Sequence, residues 1–360
     1  MVLRKIDDFL FSVINGKKNF FDQVYTKDFS SNDALAYLLE NEGDSYLGEF
    51  AKNYKRLQDN EMTSEEAVGL ADKGSAEFSF LVSSAIIEEL LEGDIKDGIS
   101  YAKAAIDSGC FMAAYELSFY YRDRDNDLAR QYANLAIEHE IFDGYFTLAT
   151  IEDDDEKALE YLEKGANLGS GYCNGLLGKC YWFGVNVERD YNKAIEYFSI
   201  ADYLGNTAYT DLYVNALLAQ ERYEDARNIA LENAQENDNP SMWGLVCEAN
   251  YFLNYAPEDT FSLASQLLDN GVKEMHRILG FMCFDGFGTK VDYISAISHL
   301  RNAIEFYKND ENVDYTDLIN NLNTLIEKAY MNMGLCRYCG GSFQGLLSKK
   351  CSNCGRKKDY

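Results

Sequence analysis

Residues 174–208 read NGLLGKCYWFGVNVERDYNKAIEYFSIADYLGNTA, and this stretch decides the fold. It holds two helical patterns, residues 176–183 and 191–204, joined by a glycine-containing loop. In the second pattern Ala194, Tyr197 and Ala201 fall at i, i+3 and i+7, the spacing of a buried helical stripe. Alanine at two of the three positions lets a neighbouring helix approach closely, and the tyrosine fills the gap between turns. One such hairpin cannot bury both its faces, so it needs neighbours of its own kind stacked against it.

Those neighbours are present along the chain. The three slots recur as Gly98, Tyr101, Ala105; Ala129, Tyr132, Ala136; Ala158, Tyr161, Gly165; and Ala296, His299, Ala303. Weaker copies are Ala36, Leu39, Gly43 and Ala67, Leu70, Gly74, and the poorest are Ala226, Ile229, Asn233 and Thr260, Leu263, Leu267. Successive first slots lie 31, 31, 31, 29, 36, 32, 34 and 36 residues apart. A helix–turn–helix repeat of the tetratricopeptide kind has a period of about 34. A second regularity fixes the same register. Four residues before the first slot stand Asn32, Thr63, Asp94, Asp125, Asp154, Asp190 and Asp292, all side chains that cap a helix N-terminus. Thr63 with Glu66 forms a capping box. The rule fails at Arg222 and Ala256, the two units whose slots are also poorest. The fold class is therefore all-α, a solenoid of about nine helix–turn–helix repeats.

The segment LGKCYWFGVNVERDYNKAIEYFSIADYLG resembles a Sel-one-like repeat, a longer-looped relative of the tetratricopeptide repeat. Leu177, Gly178, Tyr181, Gly184, Val185, Asp190, Lys193, Ala194, Tyr197, Ala201 and Gly205 carry the likeness. Leu279, Gly280, Gly286, Asp292, Ala296 and Ala303 repeat it at an offset of 102 residues. Between residues 98 and 169 the glycine-rich loop is missing, and the match runs through the second helices alone. The resemblance implies a right-handed α/α superhelix that serves other proteins as an adaptor or scaffold.

Four domains follow from this register: an N-terminal helical cap over 1–30, the repeats over 31–310, a capping helix over 311–334, and a metal module over 335–360. Leu318, Leu322 and Ile326 form the apolar stripe of the capping helix, whose outer face is polar. Cys336-Arg337-Tyr338-Cys339 and Cys351-Ser352-Asn353-Cys354 form a CxxC…CxxC arrangement with eleven residues between the pairs. Two intervening residues let both thiolates of a pair face one ion, and the glycine after each pair lets backbone N–H groups turn toward sulfur. Four thiolates close a tetrahedral zinc site with no open position, so the expected Zn2+ is structural and not catalytic. The short gap leaves room for only a minimal hairpin, and the pattern resembles a small zinc ribbon. A pair of disulfides is the alternative, which a reducing cytosol disfavours.

The chain has 360 residues, 2 prolines and a formal charge of −27. Residues 335–360 carry six basic residues and one acid, +5, which leaves −32 for residues 1–334. An acidic body repels nucleic acid and anionic lipid and favours a basic protein segment as partner. No apolar run is long enough to span a membrane, and the N-terminal residues lack a signal-peptide cleavage pattern. The expected location is cytoplasmic.

Cys110, Cys173, Cys180, Cys247 and Cys283 are scattered, mostly at helical positions beside small or apolar residues, and read as reduced core cysteines. His139, His276 and His299 form no ligand-like or nucleophile-activating arrangement, with His299 a packed side chain in a tyrosine slot. The acidic run 152–156 places Asp154 in the cap slot and its neighbours in a helix's first turn, where negative charge is favourable. No phosphate-cradling loop occurs. An enzyme is the least expected class, with no catalytic residues and no small-molecule substrate. Aromatic residues of the first helices, Phe119, Tyr120, Tyr121, Trp182 and Trp243, belong either to the core or to a partner groove. The leading expectation is a scaffold that binds a partner segment along its concave face. The alternative is a nucleic-acid-associated regulator whose ribbon alone touches DNA or RNA while the repeats recruit protein. A third idea is an acidic surface that mimics nucleic acid.

Overall fold

The computed structural model describes residues 61–87, 93–237, 239–309, 315–345 and 349–358, with isolated positions at 49, 52–53, 55–56 and 91. The first slot triad, its cap Asn32 and the N-terminal cap over 1–30 lie outside the described residues. Sixteen α-helices occur among those described, an all-α solenoid of stacked hairpins.

Eight of them, one for each remaining triad, are the second helices of the hairpins. They are α1 (Ser64–Asp72), α3 (Ile95–Asp107), α5 (Asn126–Glu138), α7 (Asp155–Asn167), α9 (Tyr191–Tyr203), α11 (Tyr223–Asn237), α13 (Pro257–Asp269) and α15 (Tyr293–Lys308). Between them run the first helices α2 (Ala76–Ile87), α4 (Met112–Tyr121), α6 (Gly144–Thr150), α8 (Gly171–Phe183), α10 (Thr210–Ala219), α12 (Pro240–Phe252) and α14 (Met275–Asp285). The series ends with α16 (Thr316–Asn332).

The caps stand where the register requires them. Asp94, Asp125, Asp154, Asp190 and Asp292 each accept a backbone N–H from the first turn of the helix that follows. Thr63 Oγ1 accepts from Glu66 N–H at 3.2 Å while Glu66 Oε2 accepts from Thr63 N–H at 3.0 Å, closing the capping box. The two exceptions find other solutions. Ala256 takes a left-handed conformation, φ 42° and ψ 62°, and Pro257 starts α13 in its place. Arg222 instead reaches forward, its Nε donating to Asp225 Oδ2 at 2.8 Å.

Between hairpins the chain turns on glycine. Gly74, Gly109, Gly169, Gly205 and Gly271 all have φ between 82° and 95°, a region closed to most side chains. At the corresponding turn after α5 the left-handed residue is Glu140, φ 64°. One boundary differs from the expectation. The first helix of the decisive hairpin begins at Gly171 and not at 176, because Ser170 Oγ accepts the Cys173 N–H at 3.1 Å and caps it five residues early.

The slot residues also divide more finely than the spacing suggests. First and third slots are buried at Gly98, Ala105, Ala129, Ala136, Ala194, Ala201, Ala296 and Ala303, whereas Ala67 and Ala158 are half-buried and Gly74 is exposed. The slot tyrosines are only half-buried. Rather than filling the gap between turns, three of them turn their rings onto the preceding helix: Tyr132 stacks on Tyr121 at 5.9 Å, Tyr197 on Tyr181 at 5.6 Å, and Tyr161 meets Tyr145 at 6.4 Å, while Tyr101 donates its hydroxyl to Asp72 Oδ1 at 2.7 Å. The phenol edge keeps access to water, so the ring gains burial without stranding its hydroxyl.

The chain forms two compact units, residues 1–207 and 208–360. Phe78, Phe80, Leu117, Leu177 and Phe198 are the largest fully buried side chains of the first, and Leu217, Ile278, Leu279 and Met282 of the second. Close approach of helices rests on missing side chains. A Cβ on Gly178 would lie 2.6 Å from Phe198 Cδ1, and one on Gly280 would lie 2.7 Å from Leu300 Cδ2. In the second unit α16 lays Leu322, Ile326 and Ala329 on Ile297, Leu300 and Ile304 of α15. Leu318 completes the stripe, partly buried.

Candidate functional site

The four cysteines of the C-terminal module meet at one point. The chain leaves α16 at Gly334 and turns through Cys336–Cys339. It then forms β1 (Phe343–Gln344), which pairs antiparallel with β2 (Lys350–Cys351), Phe343 opposite Cys351. The hairpin is minimal, two residues on each side. Gly340 and Gly355 follow the two CxxC pairs at φ 67° and 74°. Their N–H groups donate to the carbonyls of Cys336 and Cys351 at 2.7 and 3.0 Å, which folds each pair into a tight turn.

The sulfurs of Cys336, Cys339, Cys351 and Cys354 all lie within 4.8 Å of one another and could bind a metal ion. Cys336 and Cys351 are buried, Cys339 is half-buried, and Cys354 is exposed. The N–H groups of Cys354 and then Asn353 point at Cys351 Sγ and hold its thiol down to about 6. At Cys339 the Gly341 N–H also favours the thiolate, but the facing sulfurs of Cys351, Cys354 and Cys336 override it and push the thiol up to about 12. Four such sulfurs cannot all shed their protons at this distance unless a cation sits between them. The donor set therefore fits a thiophilic ion in a closed tetrahedron.

The module rests on α16. Arg337 donates to Glu327 Oε2 through Nε and Nη2 at 3.0 and 2.9 Å, and the Leu335 N–H donates to the Tyr330 carbonyl at 2.8 Å. Its aromatic rings serve its own cations. The Arg356 guanidinium lies 4.0 Å from the centre of the Tyr338 ring, and Lys358 Nζ lies 5.5 Å from that of Phe343.

The aromatic residues of the first helices separate into two groups. Tyr121 stacks inside its hairpin, Trp182 sits 4.9 Å from the Tyr191 ring, and Trp243 packs against the core of the second unit. Phe119 and Tyr120 instead line a half-open cavity in the first unit. Phe119, Phe183 and Phe252 remain exposed at the ends of α4, α8 and α12.

Two arrangements carry no sequence signal. His276 and His299, 23 residues apart, bring their Nδ1 atoms to 2.9 Å across a hairpin. Arg277 pairs with Glu248, which is 8% exposed. The remaining cysteines carry free thiols, with Cys110, Cys173, Cys247 and Cys283 buried and Cys180 half-buried. Burial raises the thiols of Cys173 and Cys247 to about 12, which leaves them inert at neutral pH. Asp154 caps α7, and the neighbouring Glu152 pairs with Arg130 at 3.6 Å.

Residues 107–140, 143–170, 172–206 and 274–305 match the family model described as the Sel1 repeat. The chain carries Sel1 repeats. The matched segments 107–140 and 143–170 take in the first helices α4 and α6 as well as α5 and α7, so the likeness there is not confined to second helices, contrary to the expectation from sequence; these hairpins keep the architecture with a shorter loop. Among solved structures, the chain is similar to a protective antigen of uropathogenic Escherichia coli with an SLR fold. That likeness is 15% identity over 77% of this chain and 61% of the antigen chain, with a TM-score of 0.48. This chain thus spans less than two thirds of that protein. A Sel1 repeat protein from Oxalobacter formigenes is similar at 17% identity over 72% of this chain and 90% of the other, with a TM-score of 0.32. No curated protein matches the chain in sequence. Sel1-repeat proteins generally mediate protein–protein interaction and are typically not enzymes. No described helix is long and apolar enough to cross a membrane.

Proposed function

We propose that this Sel1-repeat chain is a cytoplasmic, non-enzymatic scaffold that captures a basic segment of a partner protein, with a structural zinc ion closing its C-terminal module. The observation that carries the binding role is the exposed phenylalanine near the end of each of three first helices, Phe119 on α4, Phe183 on α8 and Phe252 on α12. Large rings left facing water on an otherwise acidic surface are the anchors around which interfaces are built. The acidity of residues 1–334 selects for basic partners by long-range attraction.

Zinc is the ion of choice for four thiolates in a closed set, and a module of this size has too little apolar core to fold without it. Its part is to seat the turns at the end of α16. In this reading α16 caps the repeats over 311–334 and the ribbon occupies 335–360.

The test is a pull-down from the native host with full-length protein beside a version ending at Gly334, with and without nuclease. A defined protein partner retained by both versions, whatever the nuclease treatment, supports the scaffold. Loss of all partners on truncation or nuclease treatment would transfer the function to the ribbon and to nucleic acid.

A further inference from the structure

In the first compact unit, side chains of α2, α4 and α8 enclose a half-open cavity of about 270 Å³. Pockets for free small molecules begin at roughly 300 Å³, so this one matches a single side chain of a larger partner. Its walls are rings: Phe80 and Tyr115 are buried, Tyr172 is half-buried, and Phe119 stands at the mouth, 41% exposed. Two carboxylates share the lining with them. Glu116, 7% exposed, has Oε1 accepting from Ser84 Oγ at 2.7 Å. Asp143 accepts from Ser170 Oγ at 2.5 Å.

The cavity also has two arginines, and both are already engaged. Arg124 Nη1 donates to the Tyr120 carbonyl at 2.6 Å, and its guanidinium lies 4.2 Å from the centre of the Tyr120 ring. Arg122 faces Asp123 at 3.4 Å and lies 4.4 Å from the centre of the Phe119 ring. Asp123 is exposed, so that pair belongs to the rim. The inner lining is left with aromatic faces and carboxylate.

We propose that this cavity receives the guanidinium of an arginine on the bound partner segment, with Glu116 as its counter-charge and Tyr115, Phe119 and Tyr172 as its walls. Ring faces attract a cation through their quadrupole, and a carboxylate adds a charge-assisted hydrogen bond. A guanidinium is planar and weakly hydrated, so it enters an aromatic slot more readily than the compact ammonium of lysine. The proposal rests on the scaffold reading for the source of the arginine, and it places the recognition in one cavity.

The experiment uses full-length protein and two small probes, N-acetyl-arginine amide and its neutral isostere N-acetyl-citrulline amide, titrated by ligand-observed NMR. The arginine probe binds and the citrulline probe binds roughly tenfold more weakly, the fold-change of one lost charge-assisted contact. Glu116→Gln keeps a group that can accept from Ser84 and makes the two probes equal. Phe119→Ala, at the exposed mouth and away from that hydrogen bond, weakens the arginine probe as well. Equal binding of the two probes to the wild type, no binding of either, or an arginine preference that survives Glu116→Gln overturns the proposal.

Failure of this cavity and failure of the scaffold are separable. A protein partner retained undiminished by Glu116→Gln, together with silent probes, removes the cavity and leaves the scaffold. Arginine-selective probes with no protein partner remove the scaffold and leave a site for a free guanidinium compound.

Discussion

Replacing Gly178 by alanine tests the packing on which the hairpins depend. Gly178 lies inside α8, where alanine is favoured over glycine by about 1 kcal/mol in an unhindered helix. Here the new methyl would sit 2.6 Å from Cδ1 and 2.7 Å from Cε1 of Phe198. Phe198 is 1% exposed and its ring is rigid, so it cannot swing aside. Overpacking of this kind costs about 1–3 kcal/mol. The clash outweighs the helix gain, and the net result is destabilisation of about 1 kcal/mol. Two controls fix the sign. Gly69→Ala, in α1, meets nothing within 4 Å among the described residues and should stabilise by about 0.5–1 kcal/mol. Gly280→Ala faces Leu300, a side chain with more rotamers than Phe198, and should cost less than Gly178→Ala. The assay is urea unfolding followed by far-UV circular dichroism, comparing midpoints at unchanged slope. Adding Phe198→Leu should relieve part of the Gly178→Ala penalty. A Gly178→Ala midpoint equal to or above the wild type would refute the close approach of α8 and α9.

Four further outcomes are expected. Metal analysis should find about one zinc per chain, and a strong chelator or Cys351→Ser should abolish it while leaving nearly all the helical signal; a global loss of helix would contradict a module confined to the tail. Asp190→Ala, which removes the cap of α9, should destabilise by about 1 kcal/mol in the same urea assay. Arg277→Ala leaves the buried Glu248 carboxylate unpaired and should cost about 3 kcal/mol, more than the exposed pair Arg222–Asp225 when broken. The last concerns acid. His276 is held below its ordinary 6.5 by burial and then by Lys273, and His299 by burial and then by His276. Below 6.5 the unfolded chain therefore binds more protons than the folded one, so stability is full above that pH and falls as pH drops toward the depressed values. His299→Tyr, which restores the usual slot residue, should reduce this loss in pH-dependent unfolding.

What could be read from the sequence is what the chain decides locally. Asp94, Asp125, Asp154, Asp190 and Asp292 cap the residues that immediately follow them, so a fixed offset reveals both the cap and the helix. The buried alanines at 194 and 201, 129 and 136, and 296 and 303 follow from helical spacing in the same way. The cysteines were legible because the two CxxC turns are local and only one hairpin is needed to bring them together. The early start of α8 was missed because Ser170, the capping residue, lies outside the slot register. Contacts between hairpins left no such trace. Ser84 meets Glu116 across 32 residues, Ser170 meets Asp143 across 27, and His276 meets His299 across 23. Each depends on how one hairpin seats on another, which a periodicity cannot specify. The slot tyrosines fall between the two cases: their position is periodic, but the partner that each meets is supplied by an earlier helix.

Within each unit, helices touch mainly the next one or two along the chain. This has a consequence for synthesis. Each hairpin can dock as soon as it clears the ribosome, because the surface it needs has already been made. Within each unit, such growth keeps only one apolar edge uncovered at a time, and in the second unit α16 covers the edge of α15. The four cysteines are translated after every described helix, so zinc would enter last, onto a platform already folded.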